Sequence, residues 1–438
     1  MRVLFTVYGA KTHFYNMVPV AWALRAAGHE VCVASQPQVV EAISRSGLAA
    51  VSVGEEESIP GRPGHDGEHV TSGTSWRNLN AGVTETRPEM LTWDYVLGTF
   101  TVACSTHYEH ATGGRAMLDD LVEFARSWRP DLVVWDAMTF AGPVAARASG
   151  AAHARMLFGV DHIGRMYRTY AGLLAHQEPE RHDDPVGDWL AGRLARFGCA
   201  FHDGLATEMM TGQRTIDPTP PWMQVALDLP SLPVRYVPYN GPTTVPDWVH
   251  RPPERPRVCL TLGMTAREIL GGDVFSVQDL LESVAELDVE VVATLNSDQL
   301  RELRTLPENV RAVEFVPLNE LLPSCSTVIH HGGFGTLGNA LVHGVPQIIA
   351  PGRYWDELDF GRHLEARGAG MLLEHEQLSG EALKSKVDGD SLQSKISRIL
   401  DDPSYRENAE RIRQENQRTP SPRALVTQLE EMVAGHRA

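Results

Sequence analysis

Apolar residues in this chain fall into short continuous runs that alternate with stretches of helical spacing. Val3 to Tyr8 is one such run, followed by a turn and then by Met17, Val18, Val20, Ala21 and Leu24, which share a helix face. That helix is predicted to stop at Gly28, and Val31 to Ala34 begins a second strand. The pattern is β-α-β, the unit of a parallel sheet. It recurs with a helix over Leu121 to Trp128, a strand over Leu132 to Trp135 and an alanine-rich helix from Gly142 to Ala148. A strand apolar at every position, as Leu132 to Trp135 is, suits a sheet buried on both faces.

Eleven prolines crowd between Asp217 and Pro256, and proline breaks both helix and ladder, so the stretch reads as an extended linker. Beyond it the alternation restarts: Val258 to Leu262, Val277 to Glu286, Val289 to Leu295, Val310 to Phe315, Val328 to His330, Leu337 to His343 and Gln347 to Ala350. The expected fold class is therefore α/β with two Rossmann-like doubly wound domains facing a cleft, and a ligand is expected in that cleft at the carboxyl ends of the strands. The expected division is residues 1–216 for the first domain, 217–256 for the linker and 257–405 for the second domain. Residues 406–438 are expected to form terminal helices crossing back to the first domain, from a polar pattern near Pro403 to Gln417 and Arg423 to Val433. Glu55 to Thr112 and Met166 to Gln213 read as irregular, and such insertions are natural walls for a bulky substrate.

Composition narrows the function. A chain of 438 residues accommodates two cores, and its formal charge of −17, with no cluster of Lys and Arg, argues against a nucleic-acid surface. The acidic residues are dispersed, the triplet Glu55 to Glu57 being the longest block. The five cysteines, Cys32, Cys104, Cys199, Cys259 and Cys325, form no paired motif, so zinc and disulfide chemistry lack support and a reducing cytoplasm is expected. No apolar run approaches a membrane span, and the opening Met1 to Val7 does not resemble a signal peptide.

The most informative segment is His330-His331-Gly332-Gly333-Phe334-Gly335-Thr336, between the apolar strand ending Val328-Ile329 and a predicted helix. Glycines let backbone amides approach an anion, and a helix N-terminus adds partial positive charge. With the Thr336 hydroxyl and the His331 imidazole as further donors, the segment is a candidate diphosphate cradle without lysine or metal. It lacks the Gly-Lys-Ser/Thr ending of a Walker loop.

The run from His330 through Gly344-Val345-Pro346-Gln347 to Trp355-Asp356 resembles the donor-binding signature of family 1 glycosyltransferases, which have the GT-B fold. The opening Lys11-Thr12-His13-Phe14, with Val18 to Val31, resembles the actinomycete branch that decorates macrolides and other polyketides with deoxysugars. This resemblance implies that His331, Gly332, Gly333 and Thr336 contact a diphosphate, with Thr265 on a facing loop. It implies that Phe315, Val316, Pro317 and Leu318 surround the nucleoside, and that Trp355 and Asp356 face the donor sugar. Asn339 stands where many plant members carry a ribose-binding glutamate, which suits a deoxyribose donor such as a dTDP-sugar.

Attack by a hydroxyl on an anomeric carbon needs a base, and histidine titrates in the right range. His13, expected in the loop after the first strand, is the candidate catalytic base. Asp136, at the end of Leu132 to Trp135, is its expected orienting carboxylate. A helix-capping role for Asp136 is the competing reading. Asp161 and Phe14 are candidates for the acceptor side. The expected reaction is a single displacement with inversion. Asp388-Gly389-Asp390 is formally a metal-nucleotide DxD motif, but it lies in a polar stretch after the last predicted strand, so no metal and no cofactor are expected.

A sugar-nucleotide epimerase of the same fold and a catalytically inactive donor-binding homologue are the alternatives. Some members of the branch require a cytochrome-like auxiliary activator protein, and the resemblance brings such a partner into view with Ile59 to Thr112 as its expected contact region. The remaining expected partners are the dTDP-sugar, a polyketide or other small-molecule aglycone, and a second copy in a homodimer.

Overall fold

The computed structural model describes residues 1–56, 82–108, 114–178, 182–202, 204–263, 275–352, 355–373 and 389–437. Contacts divide them into two compact units. One takes the described residues up to Tyr236 together with those from Thr419 onward, and the other runs from Val237 to Arg418.

Among the described residues the first unit holds seven parallel strands: β1 (Arg2–Thr6), β2 (Glu30–Ser35), β3 (Ala49–Ser52), β4 (Leu132–Asp136), β5 (Ala152–Met156), β6 (Arg214–Asp217) and β7 (Ser231–Pro233). Their order is β3-β2-β1-β4-β5-β6-β7. Leu132, Val133, Val134 and Trp135 are all fully buried, and burying each such side chain contributes roughly 1.5–3 kcal/mol before entropy is counted. This run therefore locks β4 into the middle of the sheet and fixes where the following residue, Asp136, emerges. Strand order reverses between β1 and β4, which pair with Thr6 opposite Trp135. Because the strands are parallel, the segments leaving their carboxyl ends are neighbours, and this is the topological switch point at which α/β sheets bind ligands.

The second unit repeats the design with β8 (Arg257–Thr261), β9 (Glu290–Thr294), β10 (Val310–Val313), β11 (Cys325–His330), β12 (Gln347–Ile349) and β13 (Gly370–Leu372), in the order β10-β9-β8-β11-β12-β13. Its switch point lies between β8 and β11, where Thr261 stands opposite His330.

Several expected boundaries move. Asp217 ends β6, and β7 lies inside the proline-rich stretch, so the first unit reaches Tyr236 rather than residue 216. The outermost strand of a sheet tolerates proline because one of its edges has no ladder to complete, and Pro233 occupies that strand, opposite Asp217. The polar helix Ser404–Arg418 belongs to the second unit, and the helix Pro422–Arg437 belongs to the first, where it packs on the helix Lys11–Ala26. There His29 Nε2 meets Glu430 Oε1 at 3.0 Å, and Arg437 pairs with Asp131.

The stretch Met166 to Gln213 is not irregular: it carries the end of the helix His162–Leu174, then the helices Pro185–Ala195 and Leu205–Thr211. Asp161 and Asp184 cap the first two by accepting from the amides of Gly164 and Gly187, and Ile163, Met166, Tyr167 and Tyr170 form a buried face at helical spacing. Within Glu55 to Thr112, residues Trp93–Val102 form a helix capped by Thr92. Much of the region expected to meet an auxiliary protein, 59–81 and 109–112, lies outside the described residues, as does Asp388. Gly389 and Asp390 open the helix Gly389–Asp401 rather than a loop. Among the described residues no helix is long and apolar enough to cross a membrane.

Candidate active site

In the first unit the helix after β1 begins at Lys11, so His13 sits in its first turn rather than in a preceding loop. The apolar pattern that marks this helix begins only at Met17, which is why its polar first turn read as loop. Phe14, expected on the acceptor side, is fully buried and packs into the core. It anchors the turn that presents His13 and offers no surface to an acceptor.

His13 Nδ1 lies 2.7 Å from Asp136 Oδ1, and the two side chains are 11% and 3% exposed. Asp136 Oδ2 accepts from the Met138 amide at 2.9 Å and from the Thr139 hydroxyl at 3.3 Å. With one oxygen committed to local donors, the other takes the imidazole proton, which assigns hydrogen to Nδ1 and leaves the lone pair on Nε2. The competing helix-cap reading of Asp136 does not hold: the next helix, Ala141–Ser149, has Phe140 at its N-cap without a side-chain cap, and Asp136 Oδ2 bonds only the turn that precedes it.

Two aromatic side chains enclose the imidazole. The Phe158 ring, in the segment after β5, lies 4.2 Å from it, and Tyr8 lies edge-on at 4.7 Å, both between ring centroids. The Tyr8 hydroxyl is 3.0 Å from His13 Nε2, and the Tyr8 amide donates to Thr139 Oγ1 at 2.9 Å. Phe158 is held by its neighbour: the Gly159 carbonyl accepts from Thr219 Oγ1 at 2.9 Å and from Gln224 Nε2 at 3.1 Å. Sequence reasoning did not single out Tyr8, Thr139 or Phe158. Tyr8 and Thr139 were reachable, being five residues before His13 and three after Asp136, whereas Phe158 arrives from a third strand.

Asp161 does not face an acceptor. It is buried, its two oxygens pair with the guanidinium of the fully buried Arg155 (Nη1 to Oδ1 3.0 Å), and Oδ1 also accepts from the Gly164 amide at 2.8 Å. A carboxylate so used is a cap and a counter-ion.

In the second unit the two histidines after Ile329 divide the work. His330, fully buried, accepts from the Gly332 amide at Nδ1 (3.1 Å), so its Nε2 donates to Gln347 Oε1 at 2.9 Å. Burial lowers its pKa to about 3, so it is a neutral clamp. It holds Gly332 at φ +104°, where a side chain would be strained and where an added Cβ would sit 2.9 Å from Glu357 Cβ. The glycine loop thus lies close against Glu357, the residue following Asp356.

The His331 imidazole lies between two glycines. A Cβ on Gly263 would approach its Cε1 to 2.2 Å, and one on Gly333 would approach Nε2 to 2.5 Å. Burial lowers its pKa to about 4, so at neutral pH it offers one neutral N–H donor. Gly333 is the N-cap of the helix Phe334–His343, and the buried Thr336 lies in its first turn. The amides of such a turn lack carbonyl partners within the helix and favour an anion. Thr265, expected opposite, lies outside the described residues.

Phe315 is 47% exposed and available for stacking, but the Val316 side chain is buried with Cys259, Val292 and Val328, so only its backbone can meet a base. Pro317 caps the short helix Leu318–Leu321, and Leu318 packs partly on the same core. Trp355 adopts φ +50°, rare for a residue with a side chain, and Asp356, buried, precedes the helix Glu357–Ala366. Among the described residues no cluster of three or more His, Cys, Asp or Glu is arranged to hold a metal.

Comparison with known proteins also finds two parts, with bounds that differ from those of the two units. The family model described as erythromycin biosynthesis protein CIII-like, N-terminal domain, matches residues 22–263, and its C-terminal counterpart matches residues 278–432. The aclacinomycin-T 2-deoxy-L-fucose transferase of Streptomyces galilaeus is 49% identical over 100% of this chain and 97% of its own. The 10-deoxymethynolide desosaminyltransferase of Streptomyces venezuelae is 46% identical over 100% of this chain and 98% of its own. The crystal structure of the glycosyltransferase VinC in complex with dTDP superposes with a TM-score of 0.86 at 42% identity, covering 99% of this chain and 100% of that one. The chain belongs to the erythromycin biosynthesis protein CIII-like family and is a glycosyltransferase of the GT-B fold.

Proposed function

We propose that this enzyme transfers a deoxysugar from a dTDP-sugar to a hydroxyl of a polyketide-type small molecule, with inversion at the anomeric carbon. The observation that carries the reading is the 2.7 Å contact between His13 Nδ1 and Asp136 Oδ1 at the switch point of the first sheet. Asp136 fixes the tautomer and balances the imidazolium that forms as the acceptor loses its proton. The acceptor oxygen bonds to the anomeric carbon while the bond to the phosphate oxygen breaks, and its electron pair leaves with the diphosphate.

The donor belongs to the second unit. The Gly332–Gly333 amides, the first turn of the helix Phe334–His343, Thr336 and the His331 N–H meet the charge that develops on the leaving diphosphate. Thr265 remains part of this proposal. Phe315, the Val316 backbone, Pro317 and Leu318 surround the nucleoside, and Trp355 and Asp356 bind sugar hydroxyls. Asn339, standing in place of a ribose-binding glutamate, supports a thymidine donor. The names of the relatives, a 2-deoxy-L-fucose transferase and a desosaminyltransferase, support the sugar and acceptor classes.

The test is a screen of dTDP-deoxysugars against macrolactone and aromatic aglycones, followed by kinetics of His13→Ala and Asp136→Asn. Loss of the base is expected to lower kcat by about 10²- to 10⁴-fold with dTDP affinity unchanged. Asp136→Asn is expected to lose activity as well, because an amide can donate to Nδ1 and stabilise the wrong tautomer. Full turnover by His13→Ala would remove the assignment.

A further inference from the structure

The nitrogen of His13 that must receive a proton is already occupied by Tyr8. Asp136 accepts from Nδ1, so Nε2 is the basic atom, and the Tyr8 hydroxyl lies 3.0 Å from it as a donor. The His13 side chain is only 11% exposed, enclosed by Tyr8 on one side and Phe158 on another.

The contact is built into the site. The Tyr8 amide donates to Thr139 Oγ1 (2.9 Å), the Thr139 hydroxyl donates to Asp136 Oδ2 (3.3 Å), Asp136 Oδ1 accepts from His13 Nδ1 (2.7 Å), and His13 Nε2 accepts from the Tyr8 hydroxyl (3.0 Å). Four residues thus close a ring of hydrogen bonds that joins the carboxyl ends of β1 and β4. Thr139 is fully buried, so rotating Tyr8 away at the backbone would leave its hydroxyl oxygen short of a donor in the interior, a costly outcome. The Gly9 amide adds a second anchor, donating to Gln36 Oε1 at 2.7 Å.

We infer that Tyr8 is a catalytic residue that relays the proton: the acceptor hydroxyl docks on the Tyr8 oxygen, and His13 acts through it. This rests on the proposed role of His13 as base. In the step, the acceptor's proton passes to the Tyr8 oxygen as Tyr8's own hydrogen passes to His13 Nε2. The acceptor oxygen forms its bond to the anomeric carbon, and the bond to the phosphate oxygen breaks with its electron pair going to the diphosphate. Tyr8 ends as a neutral phenol, and His13 ends as an imidazolium beside the Asp136 carboxylate, to be discharged to solvent before the next turnover. The enzyme's affinity for dTDP, carried by the second unit, plays no part in this step.

The relay is tested in the full-length enzyme with a donor and acceptor pair it turns over. Tyr8→Phe keeps the ring and removes the oxygen, and it is expected to lower kcat by about 10- to 100-fold with dTDP affinity unchanged. Replacing Tyr8 with 3,5-difluorotyrosine, a more acidic phenol of nearly the same shape, supplies a readout that packing alone would not move. Because Tyr8 must be protonated to pass its hydrogen on, the alkaline limb of the kcat/KM profile is expected to shift to lower pH. Wild-type kcat in Tyr8→Phe, or an unmoved alkaline limb in the fluorinated enzyme, would overturn the relay. If His13→Ala is inactive while Tyr8→Phe is unimpaired, the relay alone fails and an acceptor that displaces Tyr8 takes its place. If His13→Ala retains full turnover, the base assignment itself falls.

Discussion

Three aspartates lie at or just after the carboxyl ends of strands in the first sheet, and their neighbours give them three different electrostatic fates. Asp136 meets amide, hydroxyl and imidazole donors, and Asp161 meets a guanidinium. Asp217 has only neutral partners, the Thr219 amide at 2.9 Å and Gln224 Nε2 at 3.0 Å, and burial, with the Asp161 charge adding to it, raises its pKa to about 6. The unfolded carboxyl titrates near 3.8, the ordinary value for aspartate. Between those pH values the folded state holds a proton that the unfolded state has lost, so this group's stabilisation is complete below about pH 3.8 and is lost as pH rises through about 6. Asp217→Asn keeps the acceptor oxygen and removes the charge. It is expected to match the wild type at low pH and to exceed it by about 1–2 kcal/mol at pH 7.5, read from unfolding midpoints across that range. A gap that failed to open above pH 6 would show the carboxylate to be solvated. Sequence marked Asp136 because a fully apolar strand precedes it. It could not reveal that Arg155, within β5, claims Asp161, since that pairing depends on the inward direction of one side chain.

At the level of elements, each unit places its candidate site residues where the strand order reverses, and the tolerance of the connecting segments follows from their packing. In the helix after β11, a Cβ on Gly333 would sit 2.5 Å from His331 Nε2, whereas one on Gly335, two residues on, would have no atom within 4 Å. Gly333→Ala is therefore expected to push the imidazole aside and weaken dTDP binding by about 10- to 100-fold, the worth of a hydrogen bond to a charged group. Calorimetric titration of dTDP into this variant checks the expectation, and unchanged affinity would detach His331 from the diphosphate. The buried strands and the glycine loop were legible because apolar runs and Gly-Gly pairs leave few alternatives. The helices His162–Leu174 and Pro185–Ala195 carried capping aspartates and a helical period too, but histidine, tyrosine and tryptophan among their residues obscured it. Strands β6 and β7 were hidden more deeply. Each is short, and Pro233 on the outer one reads as a breaker until its place at the sheet edge is known.

Across the whole molecule a formal charge of −17 opposes the approach of a diphosphate, while the proposed cradle offers amides, a hydroxyl and an imidazole held neutral by burial. His330 to Thr336 contains no lysine or arginine. A site of this kind gains nothing from ion pairing that salt could take away, and salt screens the repulsion from the surrounding carboxylates, whose reach is about 10 Å at 0.1 M. The affinity for dTDP is therefore expected to stay level or rise, by about threefold at most, as sodium chloride goes from about 0.05 to 0.3 M. Turnover is expected to persist in EDTA, since neither the amides nor the imidazole require a bridging cation. The two measurements separate the remaining possibilities. Loss of binding in EDTA, restored by Mg²⁺, would return attention to carboxylates such as Asp388 and Asp390. Binding that survives EDTA but weakens tenfold with salt would point to a guanidinium on the diphosphate, for which Arg267 and Arg353, outside the described residues but close in sequence to the two loops, are the residues to substitute first.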